Sequence, residues 1–566
     1  QAEHFIPTSN GSLLALLGGR FTALDAQGRI AFRESEPAPL SMLSGSLHAS
    51  GWVYTVSTDH RIRIWDPDNG RLVQQLIGHT GTVLSIASDK SGKNLISGGR
   101  DGKLVLWNVD HGKPEWQLQF ASPVVSVCAG NKPLSAYAVL ADGSLYRIEQ
   151  KTSTQLEKRL LTAERFSGQG SQLLSHPESD KLLVWNPDGR CDLHRLSDGK
   201  LLGRYRNAAG LRAVALHANG PVFASTDGRI ASASWRSFRN AKELLQRSSP
   251  IQHLRMLGGD TLACVTADGM AHVFSLRRGF LAKQTLHPGN SINLEVSGQR
   301  LVSADADGYY GLWNWKSGEP AITGRHSGGL MSALLFRDGQ YLLLAGMDQF
   351  LALHDASDAH LLLRLLPLAG RDWISLHSSG LFDATQGAME NMFWIRGERI
   401  LEFARLKTRF WEPGLWHQVV QRQKLRDVQG FDRIALHPDL QFGEAKNGLL
   451  PVHLRKNDGG IGRVAVYING KEISADARGA GFNAQADSAT LQIDLRKHPF
   501  LLPGQENEIL VKTWTVDGLV ESRGAVTRYT APLNTGTNTK APRFFGIVCG
   551  TGAYRNSDIN LRYSVP

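Results

Sequence analysis

A chain of 566 residues that is 42% hydrophobic and 20% charged can hold two to four domains, each with its own core. That balance excludes an intrinsically disordered protein, and no run approaches the ~18 uninterrupted apolar residues of a membrane-spanning helix. A formal charge of +11 suits an anionic partner, but Lys and Arg are scattered rather than grouped, so solvated surface is the first reading.

The four cysteines, Cys128, Cys191, Cys264 and Cys549, each sit in a short apolar, strand-like context. They read as reduced thiols acting as small hydrophobes rather than as a disulfide framework, which points to a reducing, cytoplasmic compartment. The first residues, "QAEHFIPTSNG", carry no charged-then-apolar leader. They also begin without Met, so a preceding segment and a secreted or periplasmic location stay open.

Residues 1–365 repeat a unit of about forty residues. Its anchor is a tight turn, often Asp-Gly, followed by an alternating strand, as in "TDHRIRIWD", "RDGKLVLWN", "ADGSLYRIE" and "ADGYYGLWN". The turn aspartates are Asp59, Asp101, Asp142, Asp188, Asp227, Asp268, Asp307 and Asp348, and a weaker copy, "AQGRIAFRE", surrounds Gly28. Asp-Gly between alternating apolar runs predicts a two-residue hairpin with both central residues at positive φ. A further apolar run precedes each hairpin, so each unit predicts four short strands, the blade of a β-propeller.

These units resemble WD40 repeats. In that family a His, a strand Ser or Thr, a turn Asp and a strand Trp bond to one another within a blade, and His79, Ser97, Asp101 and Trp107 match that set. Ser303, Asp307 and Trp313 match it in part, as do Thr55, Asp59 and Trp65. The resemblance implies a propeller of about eight blades and a role in binding a protein partner. His79, His253, His272, His287, His326 and His354 recur at blade spacing, not at metal-ligand spacing. The repeat explains the Ser-His-Asp trio without catalysis, and no metal or cofactor is expected.

Residues 366–430 break the repeat and read as a connector. "DWISLHSSGLFDA" predicts a hairpin turning at Ser379-Gly380, and from Pro413 the pattern is helical, with Leu415, Val419, Arg422 and Leu425 on one face. Basic side chains, among them Arg396, Arg399, Arg405 and Arg409, interleave with Trp394, Trp411 and Trp416. They could meet an anionic partner such as nucleic acid. A connector with its aromatics packed and its charges in water is the plainer reading.

Across 431–532 the period becomes two, with "RIALHPDL", "LLPVHLRK", "RVAVYINGKEI", "ATLQIDLRK" and "NEILVKTW" as strands and turns at Asn469-Gly470 and Asp517-Gly518. About a hundred such residues predict an immunoglobulin-like β-sandwich without its disulfide. A polar linker, 533–542, comes next.

Residues 543–566, "RFFGIVCGTGAYRNSDINLRYSVP", begin as an apolar strand buried on both faces would. Gly550, Gly552, Tyr554, Asn560, Leu561 and Tyr563 resemble the first strand and loop of caspase-like cysteine peptidases. The fold class read from the whole chain is therefore mainly β: a propeller, a sandwich and the first strand of an α/β caspase-like domain. That order resembles bacterial WD40–caspase fusions. The resemblance implies a cysteine endopeptidase whose base and nucleophile lie on later strands, so this chain carries no catalytic residue. Cys549 has no His after it and reads as a buried strand residue. The chain is then the regulatory, partner-binding portion of such a protease, with the peptidase portion of the same protein as a second partner. The alternatives are a scaffold with a pseudo-caspase tail and a nucleic-acid-sensing module. A membrane partner is not expected.

Overall fold

The computed structural model describes residues 52–533, apart from positions 58, 67–70, 90, 133, 153–154, 162–163, 167–169, 369–371, 397–398, 429–433 and 497. Before Trp52 it describes five backbone strands, Phe5–Pro7, Leu13–Leu17, Arg20–Leu24, Ile30–Arg33 and Met42–Leu47. Residues 534–566, including Cys549 and the stretch resembling a peptidase strand, lie outside the described residues. The chain divides into two compact units, 1–433 and 434–566.

The first unit is a succession of antiparallel sheets, each built from consecutive strands. Nine succeed one another among the described residues, eight of four strands and a last one of six, where the sequence reading counts about eight. The weak copy around Gly28 belongs to a sheet of its own, Phe5–Pro7 to Ile30–Arg33, but sits between its third and fourth strands. The turn aspartates Asp59 to Asp348 all fall between second and third strands. Phe5–Pro7 runs beside both Met42–Leu47 and Leu330–Phe336, placing the first sheet between the second and the ninth.

The middle strands explain why the repeat survives sequence drift. In Lys181–Trp185, Leu182 and Val184 pack against Tyr137 and Val139 of the preceding sheet, while Leu183 and Trp185 pack against Leu211 and Phe223 of the next. Both faces are dry, so successive residues are all apolar, and each sheet shares a core with each neighbour.

The Asp-Gly turns differ from the two-residue hairpins expected. At Arg100-Asp101-Gly102 only Gly102 has positive φ, 75°, and its N–H bonds to Gly99 O at 3.1 Å. A three-residue loop of this kind places one residue in the left-handed region, and the Asp carboxylate takes the Lys103 N–H at 3.1 Å. Asn469-Gly470 is the two-residue case, with φ of 49° and 78°.

Beyond the ninth sheet's first four strands the chain adds the predicted hairpin, Trp373–His377 and Phe382–Ala384, as its fifth and sixth. Three helices come after: α1 (Gln386–Asn391), α2 (Phe403–Phe410) and α3 (Leu415–Val420). The sequence reading saw only α3, and saw it too long. It stops because Arg422 turns left-handed, φ 53°, and the Gln423 and Arg422 N–H groups bond back to Gln418 O and Val419 O at 2.8 and 2.9 Å. α3 buries Leu415, Trp416, Val419 and Val420 against Leu343, Leu353 and Leu365 of the ninth sheet. The Asp383 carboxylate ties it down, accepting from Gly414 N–H at 2.7 Å and Trp411 Nε1–H at 3.1 Å.

The second unit has two antiparallel sheets. One joins Asp439–Phe442, Leu449–Arg455 and Ser488–Asp494; the other joins Lys471–Ser474, Val464–Ile468, Glu506–Thr513 and Ala525–Thr530. Val452, Leu454, Leu491 and Ile493 of the first face Val466, Ile468, Ile509 and Val511 of the second across one core. Of the segment "RIALHPDL" only its end is strand: pairing starts at Asp439, after Pro438, which has no N–H to give a ladder.

Candidate functional site

The polar side chains buried between apolar strands are where chemistry could reside in the first unit. In the third sheet His79 Nδ1 lies 3.1 Å from both Asp101 carboxylate oxygens, and His79 Nε2 lies 2.8 Å from Ser97 Oγ. Trp107 Nε1–H donates to the same Ser97 Oγ at 2.7 Å. The order of donors is then set: Trp107 to Ser97, Ser97 to His79 Nε2, and His79 Nδ1–H to Asp101.

That chain of bonds needs a neutral imidazole. Burial lowers the His79 pKa below its ordinary value, outweighing the Asp101 carboxylate that favours the charged ring. Burial also works against the Asp101 carboxylate, but N–H donors from Thr80 and Lys103 and the His79 ring prevail and lower its pKa. Asp, His and Ser stand in the order of a hydrolytic triad. Ser97 is 0% exposed and its oxygen is already held by an indole N–H, so no substrate carbonyl can reach it. The set pins the segment before the first strand and the turn after the second to the second and third strands of the sheet.

Sequence reasoning missed the glycine that makes room for the pair. A Cβ at Gly99 would come within 2.6 Å of His79 Nδ1. Gly346 stands in the same relation to His326 and Asp348, whose Nε2 and Oδ2 atoms are 3.1 Å apart. A small residue two before the turn Asp is the signal that would have found both.

The partial copies diverge. Trp65 Nε1–H donates to Thr55 Oγ1 at 2.7 Å, but Asp59 pairs with the buried Arg63 guanidinium at 2.7 Å in place of a His. Around Ser303 the carboxylate facing His287 is Asp305, 3.7 Å from Nδ1, and not the expected Asp307. His287 Nδ1–H donates to Gly289 O at 3.0 Å, so its Nε2, 2.8 Å from Ser303 Oγ, is the accepting nitrogen. His253, His272 and His354 are separately enclosed, and burial is the leading cause of the lowered pKa of each. Among the described residues no three His, Cys, Asp or Glu side chains come together as a metal site. No helix among them is long and apolar enough to cross a membrane.

Of the connector arginines, the side chains of Arg396, Arg399 and Arg405 lie outside the described residues, and Arg409 is half-buried with its guanidinium 5.2 Å from the Phe410 ring centre. Cys128, Cys191 and Cys264 are free and buried, and burial pushes the Cys128 thiol up to about 11.

Residues 70–108, which span the His79 set, match the family model "WD domain, G-beta repeat". These are WD40-type, propeller-like repeats. Autophagy-related protein 16 of Arabidopsis thaliana is 24% identical over 275 residues, 47% of this chain and 46% of that protein. Small ribosomal subunit protein RACK1y of Oryza sativa subsp. japonica is 26% identical over 144 residues, 24% of this chain and 43% of that protein. Among solved structures, the C-terminal WD40 domain of Sif2 is 15% identical with a TM-score of 0.42, over 61% of this chain and 94% of that one. The chain spans about half or less of the length of the curated relatives it matches. Both are eukaryotic proteins, and they bear on the repeats. The peptidase-like tail and a bacterial source rest on the sequence resemblance alone.

Proposed function

We propose that this chain is a protein-recognition scaffold: the WD40-type repeats form a nine-bladed ring that holds a protein partner, and the immunoglobulin-like sandwich at 431–532, with the linker 533–542, joins that ring to residues 543–566. The observation that carries this reading is the use of the Ser97, His79 and Asp101 polar atoms in structural bonds to one another and to Trp107, within a stack of sheets joined by exposed turns. The name of one similar protein, a small ribosomal subunit protein, fits a repeat domain that works within an assembly. From the resemblance of 543–566 we further propose that the partner-bound ring regulates a caspase-like cysteine peptidase in the same protein, and that this chain alone has no peptidase turnover.

Cross-linking of the full chain to its co-purified partner, read by mass spectrometry, tests the first part. Cross-links are expected at repeat lysines such as Lys113, Lys200, Lys242 and Lys316; partner cross-links confined to 434–533 would overturn it. For the second part, a natural sequence beyond Pro566 that lacks either a His or a Cys on its later strands would leave only the scaffold.

A further inference from the structure

One connection departs from the repeat. In the sixth sheet, Leu211–His217 to Lys242–Gln246, the third and fourth strands are joined by nine residues, 233–241, against three to seven in the other sheets. The loop is built rather than slack. Phe238 is 4% exposed and sits edge-on to Phe223, with ring centres 5.9 Å apart. Trp235 donates its backbone N–H to Asn219 O at 2.9 Å and its Nε1–H to Ala218 O at 2.8 Å. Ser234 Oγ accepts the Ser237 N–H at 2.9 Å.

With Trp235 and Phe238 pinned inward, Arg236, Arg239 and Lys242 are left exposed. Among the described residues none of the three has an ion-pair partner. The corresponding connection of the seventh sheet adds Arg277, 81% exposed and 4.0 Å from Asp260, and Arg278, which has no ion pair among the described residues. Consecutive sheets place these two connections at the same end of their strands, so the cations share one side of the unit.

We propose that the loop 233–241, with Arg277 and Arg278, is a docking ledge for an acidic peptide segment of a protein partner. This rests on the reading of the repeats as a protein-recognition platform. The preordered loop 233–241 holds Arg236 and Arg239 without an ion pair among the described residues, so docking on it loses little entropy and breaks none there, while Arg277 would exchange its 4.0 Å contact with Asp260. A peptide fits better than a nucleic acid because the loop 233–241 offers no free aromatic face for a base: Phe238 is buried. The Trp235 ring is packed against His176, 5.6 Å between centres, and its N–H is already bonded.

The test uses the full chain and a fluorescent twelve-residue peptide of alternating Glu and Asp, with anisotropy as the readout. Saturable binding is expected to weaken about tenfold in Arg236→Glu/Arg239→Glu. It should change less than about twofold in Arg100→Glu/Arg325→Glu, which alters net charge equally at the opposite ends of the strands. Equal loss in both variants would reduce the effect to net charge and overturn the ledge, as would no binding at all. Tighter binding of a single-stranded oligonucleotide of equal charge through Arg236 and Arg239 would overturn the peptide in favour of a phosphodiester ligand. Failure here with partner cross-links still on the repeats would leave the scaffold reading standing.

Discussion

Ser97 is the residue on which the third sheet turns, because one hydroxyl satisfies both an indole N–H and an imidazole nitrogen. Ser97→Ala leaves both buried and unpaired, and a loss of about 2–4 kcal/mol is expected in urea denaturation. Ser97→Thr should cost clearly less, since Thr55 already holds Trp65 in the same way in the second sheet. The buried histidines set the pH response. His272, 1% exposed, has its pKa lowered from 6.5 to about 4, by burial first and then by Arg247. The unfolded ring takes up a proton as pH falls through about 6.5 and the folded ring does so only near 4, so stability is full above that window and drains through it. His253, His287 and His354 act in the same direction. Urea midpoints should therefore fall from pH 7.5 to pH 4.5, with a shallower fall in His272→Gln; an unchanged slope would mean that His272 does not contribute.

At the scale of elements, patterning and turn chemistry were legible and their fine geometry was not. Eight turn aspartates mark eight second-to-third strand connections, because Asp beside Gly reports a turn whatever its length. Whether that turn has two or three residues depends on pairing register, which composition does not carry. The His79 set was legible because each member stands at a fixed offset from Asp101. The Asp305 substitution for Asp307 was not, since Asp305 ends the second strand and is buried while Asp307 stands exposed in the turn, and only packing chooses between two carboxylates so close in sequence. α1 and α2 escaped notice because helices of six and eight residues carry too few turns for a period to show. In the second unit, Asn507 is fully buried and its amide joins Leu502, Gln505, Tyr529 and Asn469. Asn507→Ala should cost about 2–4 kcal/mol, read from the midpoint of chemical denaturation. Buried strands also silence the thiols: in a Cys549→Ser background, Cys128, Cys191 and Cys264 should react with a thiol reagent only after denaturant is added.

The whole molecule is two units with separate cores. Val466→Ala, in the core of the second unit, should lower one calorimetric transition and leave that of the repeats in place; a single shifted transition would mean that the units unfold together. What the residues alone determined was the repeat, its strand-turn rhythm and the polar set of its best copy, because local periodicity and short offsets are properties of neighbouring residues. Only the tertiary structure decided which carboxylate meets which imidazole, that the triad-like oxygen is walled in, and that an outsized loop between two anchored aromatics leaves its arginines without partners. Those facts depend on groups far apart in sequence being brought within a few ångströms, and burial, which sets their protonation and access, exists only once the sheets have packed.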